Sequence, residues 1–550
     1  MKIACIEMNV KAGKCEENFT FMKEQIEAAK RENADLIVFP QNAVSGYLLG
    51  DKWLDDDWCQ YVDSFNEKIT KLADSIAIVW GNIRYRHRMR FNSAFFAYQG
   101  KTYMRVKRNQ DHFFFQDSRY FKESDINAAI EYQDLTLALN FGYEQQIADL
   151  NINIDCSPWI YDKPHVIKGS TVYVNAMGIQ NIGKNISVFD GSCVITQNHQ
   201  VLVRSKAFQT GIVWSNVHEC FENPSLLDAL LFGVKEFDAQ LLGGNMPWIV
   251  GLSGGLDSSV TAAVLTMALG KERVIGYNMA TRYNSEKTVS NASGLAEKLG
   301  IAIHEGSIES LMESSVNTVK EYGYDEESWN SLVKENMQAR LRGHLLSTFA
   351  SIHNGVVVNN GNKVEAALGY CTLYGDAIGA LCVIGDVSKV QLFDIAKEIN
   401  HRLNVEAIPQ RLLPVVHSDG ITWEMPPSAE LKQDQLDPMK WFYHDYIIEH
   451  LHSGLTITAW MRMYLDKTAF DTPAGRWLRY YGLDDPQAFI DDLDWLVQTM
   501  TRNGFKRIQF PPILCISANP YGNAYIETQS QFDEAEYQKL RDAILKQPIQ

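Results

Sequence analysis

Runs of apolar residues separated by polar turns predict mixed α/β structure along the whole chain. The apolar runs 34–40 and 171–175 have the length of buried strands, whereas 16–31 repeats its apolar positions with helical spacing. In the second half, strand patterns alternate with helical ones; the strands are predicted at 248–252, 273–279, 301–308 and 355–360. This alternation is typical of a doubly wound parallel sheet, which binds its ligand at the carboxyl edge of the strands.

One strand of the second half breaks into a turn of glycine, serine and aspartate. The run 248–252 leads into Ser253-Gly254-Gly255-Leu256-Asp257-Ser258, and a buried helix is expected over 260–269. Glycines let backbone N–H groups approach an anion, and the N-terminus of a helix adds a favourable dipole. Asp257 is a poor phosphate ligand by itself, so its place in this turn predicts a bridging Mg²⁺. An ordinary strand–helix turn would explain the glycines but not the serines and aspartate beside them.

Composition narrows the class of protein. The chain has 550 residues, enough for two or more domains, and a net charge of −16 that argues against a nucleic-acid partner or a membrane-surface partner. The nine cysteines are scattered and form no Cys-x-x-Cys pair, so neither a disulfide framework nor a zinc site is indicated. The first residues predict a strand and no signal peptide, and no apolar run is long enough to cross a bilayer. We therefore expect a cytoplasmic protein.

The turn at 253–258 resembles the Ser-Gly-Gly-x-Asp-Ser signature of the ATP pyrophosphatase group, whose members split ATP into AMP and pyrophosphate and adenylate an acceptor. Further motifs follow in the order found in the NAD synthetase domain of glutamine-dependent NAD synthetases. These motifs are 335–343, 360–376, Lys389, 427–431 and 506–512. The resemblance implies a doubly wound ATP pyrophosphatase-type (Rossmann-like) domain, with ATP as a substrate and Mg²⁺ as the cofactor.

The resemblance also implies a reaction. The carboxylate of the deamidated dinucleotide (deamido-NAD) attacks the α-phosphorus of ATP, and ammonia then displaces AMP from the acyl-adenylate. Because both substrates of the first step are anionic, Mg²⁺ and positive side chains must screen them. The residues expected to be catalytic are Asp257, Glu365, Lys389 and Asp376, of which Asp257 and Glu365 would bind the metal. The residues expected to bind ATP are Gly251, Leu252, Ser253, Gly254, Gly255, Leu256, Asp257, Ser258, Asn360 and Lys389. The residues expected to bind deamido-NAD are Asn336, Glu365, Tyr370, Cys371, Thr372, Leu373, Asp376 and Lys506.

The first half resembles the nitrilase-type amidase fold, an α/β/β/α sandwich. The shared features are a strand that ends in Phe39-Pro40 and a lysine, Lys107, followed at the family's offsets by Phe115 and by the tripeptide at 119–121. In the family a glutamate base, a lysine and a cysteine nucleophile release ammonia from glutamine.

The same comparison fails at the residues that carry the amidase chemistry. Gln41 stands where the family has its glutamate, and alignment on Trp159 puts Asp155 at the nucleophile position, with Cys156 one residue later. A shift of one residue along a strand reverses the face on which a side chain lies. The simpler interpretation of Cys156 is a small buried residue. We therefore expect Gln41, Lys107 and Asp155 to be a degenerate glutaminase triad.

The leading hypothesis is an NAD synthetase, a carbon–nitrogen ligase that uses free ammonia and keeps a nitrilase-like domain without its activity. Alternatives are an enzyme that still depends on glutamine, a related amide ligase for another carboxylate, and a non-catalytic regulatory homologue. The expected domains are 1–208, a linker at 209–224, and 225–550. The resemblance further implies a homodimer or a larger homo-oligomer.

Overall fold

The computed structural model describes residues 1–112, 114–127, 129–163, 166–282, 286–428, 431, 436–451, 453–521 and 534–547. The chain divides into two compact units, Met1–Gln240 and Leu241–Gln550. Among the helices that the structure describes, none combines the length and the apolar character needed to cross a membrane.

The first unit is rich in strands. Its strands are β1 (Ile3–Glu7), β2 (Leu36–Val38), β3 (Ala77–Arg86), β4 (Met89–Tyr98), β5 (Lys101–Val106), β6 (Asp111–His112), β7 (Phe115–Gln116), β8 (Ile130–Tyr132), β9 (Leu135–Phe141), β10 (Leu150–Asp155), β11 (Thr171–Asn175), β12 (Met177–Ile182), β13 (Asn185–Asp190), β14 (Cys193–Gln197), β15 (Gln200–Arg204) and β16 (Gly211–Trp214). Its helices are α1 (Cys15–Arg31), α2 (Asp56–Thr70), α3 (Asp117–Tyr120) and α4 (Leu226–Leu241), the last of which ends at the boundary.

Two six-stranded sheets form the core of the first unit, in the orders β16-β1-β2-β3-β4-β5 and β15-β14-β11-β10-β9-β8. One face of the first sheet packs on the second sheet through residues such as Val38, Val79 and Ile154. Its other face is covered by α1 and α2, where Met22 and Phe65 are fully buried. This layered α/β sandwich confirms the fold class expected for the first half.

The boundary between the units differs from the expected one. The segment 209–224, expected to be a linker, contains β16, which pairs antiparallel with β1 and so closes one edge of the first sheet. Helix α4, expected at the start of the second domain, belongs to the first unit, and its Phe232 stacks on Phe208 at 4.7 Å between ring centroids. The first compact unit therefore extends to Gln240, whereas the expected first domain ended at residue 208.

The second unit combines a parallel sheet with many helices. Its strands are β17 (Trp248–Gly251), β18 (Val274–Ala280), β19 (Ala302–Ser307), β20 (Val356–Asn359), β21 (Leu381–Cys382), β22 (Val415–Val416), β23 (Ile421–Thr422) and β24 (Ile513–Cys515). Its helices are α5 (Leu256–Leu269), α6 (Glu286–Leu299), α7 (Glu309–Glu321), α8 (Ser331–Ile352), α9 (Lys363–Leu368), α10 (Lys389–Leu403), α11 (Tyr443–His450), α12 (Ile457–Leu465), α13 (Gly475–Tyr480), α14 (Pro486–Arg502), α15 (Gly504–Gln509) and α16 (Ala535–Leu545).

The strand order of the parallel sheet determines where a ligand can enter. Strands β24-β21-β20-β17-β18-β19 lie side by side, all parallel. The chain proceeds from β17 towards one edge through β18 and β19, and from β20 towards the other edge through β21 and β24. The order therefore switches between β17 and β20, and a crevice is expected outside their carboxyl ends. The glycine turn follows β17, and Asn360 follows β20 directly.

Candidate active site

The glycine turn joins β17 to α5 in a conformation that only glycine adopts easily. Gly254 has φ +81°, and a Cβ atom there would lie 1.9 Å from the backbone oxygen of Thr288. The Ser253 hydroxyl lies 3.1 Å from that of Ser258 and accepts the N–H of Gly255 at 3.2 Å. These contacts fix the turn at the start of α5, whose free N–H groups and dipole favour an anion.

A short helix brings a second carboxylate to the turn. Asn362 caps α9 in a capping box, in which its side chain accepts the N–H groups of Val364 and Glu365 and the Glu365 carboxylate accepts the N–H of Asn362 at 3.1 Å. The amide nitrogen of Asn362 also donates to Asp257 Oδ1 at 3.1 Å. One asparagine therefore orients both carboxylates that the sequence assigns to Mg²⁺.

Lys389 supplies the positive charge of this cluster. It is the first residue of α10, its side chain is 3% exposed, and its Nζ donates to Asp257 Oδ2 at 2.5 Å. Its ammonium group also lies 5.1 Å from the ring centroid of Trp441. Burial lowers the pKa of Lys389, but the charges of Asp257 and Glu365 outweigh this effect and leave the pKa raised. Lys389 is therefore positively charged at neutral pH.

The charge balance around Glu365 fits a divalent cation. Burial of its carboxyl group and repulsion from Asp257 raise the pKa of Glu365 well above its usual range. A metal ion between the two carboxylates would relieve that repulsion. Among the described residues no group of three or more His, Cys, Asp or Glu side chains forms a complete metal site. Two protein carboxylates suit Mg²⁺, which completes its shell with water and substrate phosphates.

A cavity of about 320 Å³ opens over the turn and collects most of the predicted site. Thirteen predicted residues line it: Gly251, Leu252, Ser253, Gly255, Leu256, Asp257, Ser258, Asn360, Glu365, Tyr370, Cys371, Asp376 and Lys389. Gly254 lies in the turn but not among the lining residues. Towards β18 and α8 the cavity wall is largely apolar, with Tyr277, Met279, Leu346 and Val357. The lining thus combines a charged end with an apolar end.

Four residues predicted to bind the dinucleotide lie outside the cavity lining, within the loop 370–376 or in contact with it. The hydroxyl of Thr372 donates to Asn336 Oδ1 at 2.8 Å, which ties the loop to α8. Lys506 Nζ donates to the carbonyl oxygen of Cys371 at 2.7 Å. Leu373 packs against the small core that contains Phe510. In this structure Asn336, Thr372, Leu373 and Lys506 therefore shape the rim, whereas Tyr370, Cys371 and Asp376 face the cavity.

Sequence reasoning missed two polar residues of the site. Asp437 lines the cavity, and its negative charge acts on both Glu365 and Lys389. No local pattern around Asp437 pointed to it, because it lies far along the chain from the strands that build the site. Asn362 could have been found, since Asn-x-x-Glu ahead of an apolar run is a helix-start pattern.

In the first unit, the family lysine is held by a different set of partners from the predicted triad. Lys107 is buried, and its Nζ lies 3.0 Å from Asp117 Oδ2 and donates to the Tyr47 hydroxyl at 3.0 Å. Tyr47 in turn donates to the other oxygen of Asp117. Lys107 is thus neutralised by Asp117. Gln41 is 1% exposed, and its amide nitrogen has no hydrogen-bond partner among the described residues.

Asp155, at the nucleophile position, is fully engaged as an acceptor. Its carboxylate accepts the N–H of Cys156 and the hydroxyl groups of Ser157 and Tyr173, each at 2.8 Å. The thiol of Cys156 is buried 3.5 Å from the amide nitrogen of Gln180. Burial and the negative charge of Asp155 raise the pKa of the Cys156 thiol far above its usual value. The thiolate form that a nucleophile needs is therefore disfavoured.

The chain is similar to known proteins both in sequence and in fold. A family model described as NAD synthase matches residues 243–453, which contain the glycine turn, α9 and Lys389. The glutamine-dependent NAD(+) synthetase of Acinetobacter baylyi is 28% identical over 479 residues, which cover 79% of this chain and 84% of that protein.

Two solved structures share the fold over nearly the whole chain. A glutamine-dependent NAD(+) synthetase from Cytophaga hutchinsonii has a TM-score of 0.76 at 16% identity and covers 99% of both chains. The enzyme from Acinetobacter baumannii, in complex with adenosine diphosphate, has a TM-score of 0.67 at 23% identity and covers 94% of this chain and 96% of its own. On these findings the chain is similar over most of its length to the glutamine-dependent NAD(+) synthetases, carbon–nitrogen ligases in which a nitrilase-like domain is fused to an ATP pyrophosphatase-type synthetase domain.

Proposed function

We propose that this protein is an ATP-dependent NAD synthetase that amidates deamido-NAD with free ammonia. One observation carries the synthetase part: Asp257, Glu365 and Lys389, from three separate segments, meet at the glycine turn inside one cavity. The match of residues 243–453 to the NAD synthase family model supports the same assignment, as does the nucleotide bound to the Acinetobacter baumannii relative. Free ammonia as the nitrogen donor rests on the first unit and is argued separately below.

The first step forms the bond between the dinucleotide carboxylate and the α-phosphorus of ATP, and pyrophosphate leaves. Asp257 and Glu365 would hold Mg²⁺, which supplies charge screening for the attack and for the leaving group. The N-terminus of α5 and the Ser253 and Ser258 hydroxyls offer donors to the phosphates. Lys389 keeps its positive charge beside Asp257 and can neutralise the growing charge on pyrophosphate.

The second step forms the carbon–nitrogen bond when ammonia adds to the acyl-adenylate and AMP departs. One proton must leave the nitrogen. Asp376 is the candidate acceptor, because it lines the cavity and one of its oxygens is fixed at 2.5 Å by the N–H of Thr372. The apolar walls formed by Tyr277, Met279 and Val357 suit the flat adenine ring.

Free ammonia is proposed as the donor because the relic amidase site lacks a workable nucleophile. Gln41 cannot accept a proton from a thiol at neutral pH, since an amide is not a base. Cys156 is buried with a raised thiol pKa, and the carboxylate of Asp155 already accepts three hydrogen bonds. The relatives named above are described as glutamine-dependent, so the donor distinguishes this proposal from simple family inference.

The test measures NAD formation from deamido-NAD, ATP and Mg²⁺ with ammonium or glutamine as sole nitrogen source. We expect turnover with ammonium and at least 100-fold lower kcat/KM with glutamine. Equal efficiency with glutamine would refute the ammonia part alone. If other carboxylates but not deamido-NAD support ATP–pyrophosphate exchange, the acceptor is wrong, and the absence of exchange with any acceptor would favour the regulatory alternative. A homo-oligomer and a cytoplasmic location stay predictions, and sedimentation of the purified protein tests the former.

A further inference from the structure

The three charged groups of the site lie on three separate segments of the chain. The glycine turn alone does not hold these segments together. Glu365 belongs to α9, Lys389 is the first residue of α10, and Asp257 is the second residue of α5. Their mutual distances must be held to a fraction of an ångström for a metal and a triphosphate to bind. Asn362 links α9 to Asp257, but a single amide donor does not fix α9 relative to α10.

An ion cluster centred on the fully buried Lys363 adjoins these helix starts. The side chain of Lys363 is 0% exposed, and its Nζ donates to Glu449 Oε2 and to the Ser517 hydroxyl, each at 2.8 Å. The same Nζ lies 3.2 Å from Asp386 Oδ1. The carboxylate of Asp386 also accepts the N–H groups of Ile516 and Ser517 at 2.8 Å. None of these four side chains lines the cavity.

The position of this cluster in the chain connects the two helices. Lys363 is the first residue of α9, two residues before Glu365, and Asp386 lies three residues before Lys389. The backbone reinforces the link, because the N–H of Lys363 donates to the carbonyl of Val387 at 2.9 Å. The ion pair between Lys363 and Asp386 therefore sets how far the start of α9 lies from the start of α10.

Helix α11 completes the arrangement with two carboxylates four residues apart, which lie on one helical face. Glu449 accepts from Lys363 at the start of α9. Asp445 accepts the backbone N–H of Lys389 at 2.7 Å at the start of α10. One face of α11 thus contacts both helix starts at once.

We propose that Lys363 and Asp386, supported by Glu449, are positioning residues that set the separation of Glu365 and Lys389 around Asp257 and thereby determine the affinity for magnesium-bound ATP. A buried lysine that does not line the cavity is otherwise hard to explain, because apolar residues of similar volume stabilise a core equally well or better. The inference rests on the proposed function and adds to it the residues that hold the metal site in shape.

The test compares binding of α,β-methylene ATP, which cannot be cleaved between the α- and β-phosphorus, as Mg²⁺ is titrated into the full-length protein. The variants are Lys363→Met, Asp386→Asn and their combination. The matched control is Asp492→Asn, which removes the charge of another buried carboxylate; neither Asp492 nor its partners Lys440 and His444 line the cavity. Calorimetry gives the affinity, and circular dichroism and the melting temperature report folding.

We expect each single variant to weaken binding about tenfold, while Asp492→Asn stays within twofold of the unmodified protein despite a comparable loss of melting temperature. The double variant should be no weaker than the weaker single variant, because the two residues act as one unit. A folded Lys363→Met protein that binds within twofold of the unmodified protein would overturn the proposal. If Lys363→Met does not fold, Glu449→Gln, at a side chain that is 32% exposed, decides by the same criterion. Failure of the unmodified protein to bind the analogue would instead refute the proposed function, and this inference with it.

Discussion

At the scale of single residues, the position of Glu365 suits the proposed metal ion but reduces the stability of the metal-free protein. Its carboxyl group lies beside Asp257 in a cavity wall, and burial together with that charge raises its pKa. An acid whose pKa is raised on folding favours the folded state most below its unfolded pKa, and this contribution is lost as the pH rises through the folded pKa. Without a metal ion, ionisation of Glu365 therefore destabilises the protein as the pH rises.

Replacing Glu365 by glutamine should separate these two effects. Glutamine can keep the capping box with Asn362, because it also accepts the N-cap N–H. We expect Glu365→Gln to raise the melting temperature of the metal-free protein by about 2 °C or more at pH 8. At pH 4, below the ordinary pKa of 4.5, we expect no gain.

The same variant should lower kcat for NAD formation by about 100-fold or more, the usual loss when one group that stabilises developing charge is removed. Melting curves at the two pH values and steady-state rates check both statements. A variant that is more stable at pH 4 than at pH 8, relative to the unmodified protein, would show that the sign is wrong.

Cys156 gives a second prediction at the residue scale. Because its thiol is buried and its pKa is raised, Cys156→Ala should leave the ammonium-supported rate within twofold of the unmodified value. Lys389→Met, by contrast, should abolish turnover with ammonium, since it leaves Asp257 without its positive partner. Release of glutamate from glutamine, followed with a coupled assay, should be undetectable both before and after the Cys156 change.

Individual site residues could be predicted where several of them lie together in one contiguous motif. The turn 253–258 and the segment 360–376 each place several cavity residues within a few positions of one another. Asp437 was not predicted, because tertiary folding brings it to the site from a stretch without a recognisable pattern. The supporting role of Lys506 could not be read either, since a lysine in sequence looks the same whether it binds a phosphate or a backbone carbonyl.

At the scale of elements, the strand–turn–helix unit depends on the space that glycine leaves. Gly254→Ala should destroy ATP binding, because a Cβ atom would meet the Thr288 carbonyl oxygen at 1.9 Å and neither backbone can withdraw without moving α6 or the turn. Gly270→Ala is the control. Gly270 has a comparable φ of +91° but open space around its Cβ position.

The two alanine variants should therefore suffer similar backbone strain while only one loses nucleotide affinity. We expect the affinity of Gly254→Ala for magnesium-bound α,β-methylene ATP to fall by at least 100-fold, and that of Gly270→Ala to change by less than threefold. Calorimetric titration of the two purified proteins decides. Equal losses would mean that backbone strain, and not the contact with Thr288, controls the turn.

The central strands of both units could be predicted, whereas several edge strands could not. Buried strands such as β2 and β17 are short, continuous apolar runs, which give a clear signal. Strand β16 has four half-buried residues and gives no comparable signal. Its pairing with β1, more than 200 positions earlier, depends on tertiary structure alone. For that reason the sequence alone predicts a linker at 209–224.

At the scale of the whole molecule, stability should depend on pH through a buried carboxyl group of the first unit. Glu7 is 6% exposed on β1, and one of its oxygens has no partner among the described residues. Burial, opposed by a hydrogen bond from Ser205 and assisted by the charge of Asp190, raises its pKa from 4.5 to about 7. The stabilising contribution of neutral Glu7 is therefore complete below pH 4.5 and is lost as the pH rises through 7.

Glu7→Gln should remove this dependence from the first unit. The raised pKa corresponds to about 3 kcal/mol of unfolding free energy between pH 4.5 and pH 9. Urea denaturation at pH 5 and pH 9 should show a smaller loss for Glu7→Gln than for the unmodified protein. Glu24→Gln, at an exposed glutamate of α1, should change neither value. An unchanged pH dependence in Glu7→Gln would contradict the assignment.

The three hydrogen bonds that hold Asp155 determine whether mutation could restore the family's glutaminase triad at these positions. A cysteine at 155 would leave the hydroxyl groups of Ser157 and Tyr173 and the N–H of Cys156 without their acceptor. A glutamate at 41, where the side chain is 1% exposed, would bury a new charge, and the buried Lys107 is already paired with Asp117. Each single reversion would thus be harmful before the next could help. In the proposed ammonia-dependent enzyme, stepwise evolution back to glutamine hydrolysis would therefore be blocked, and a supply of free ammonia would be a fixed requirement.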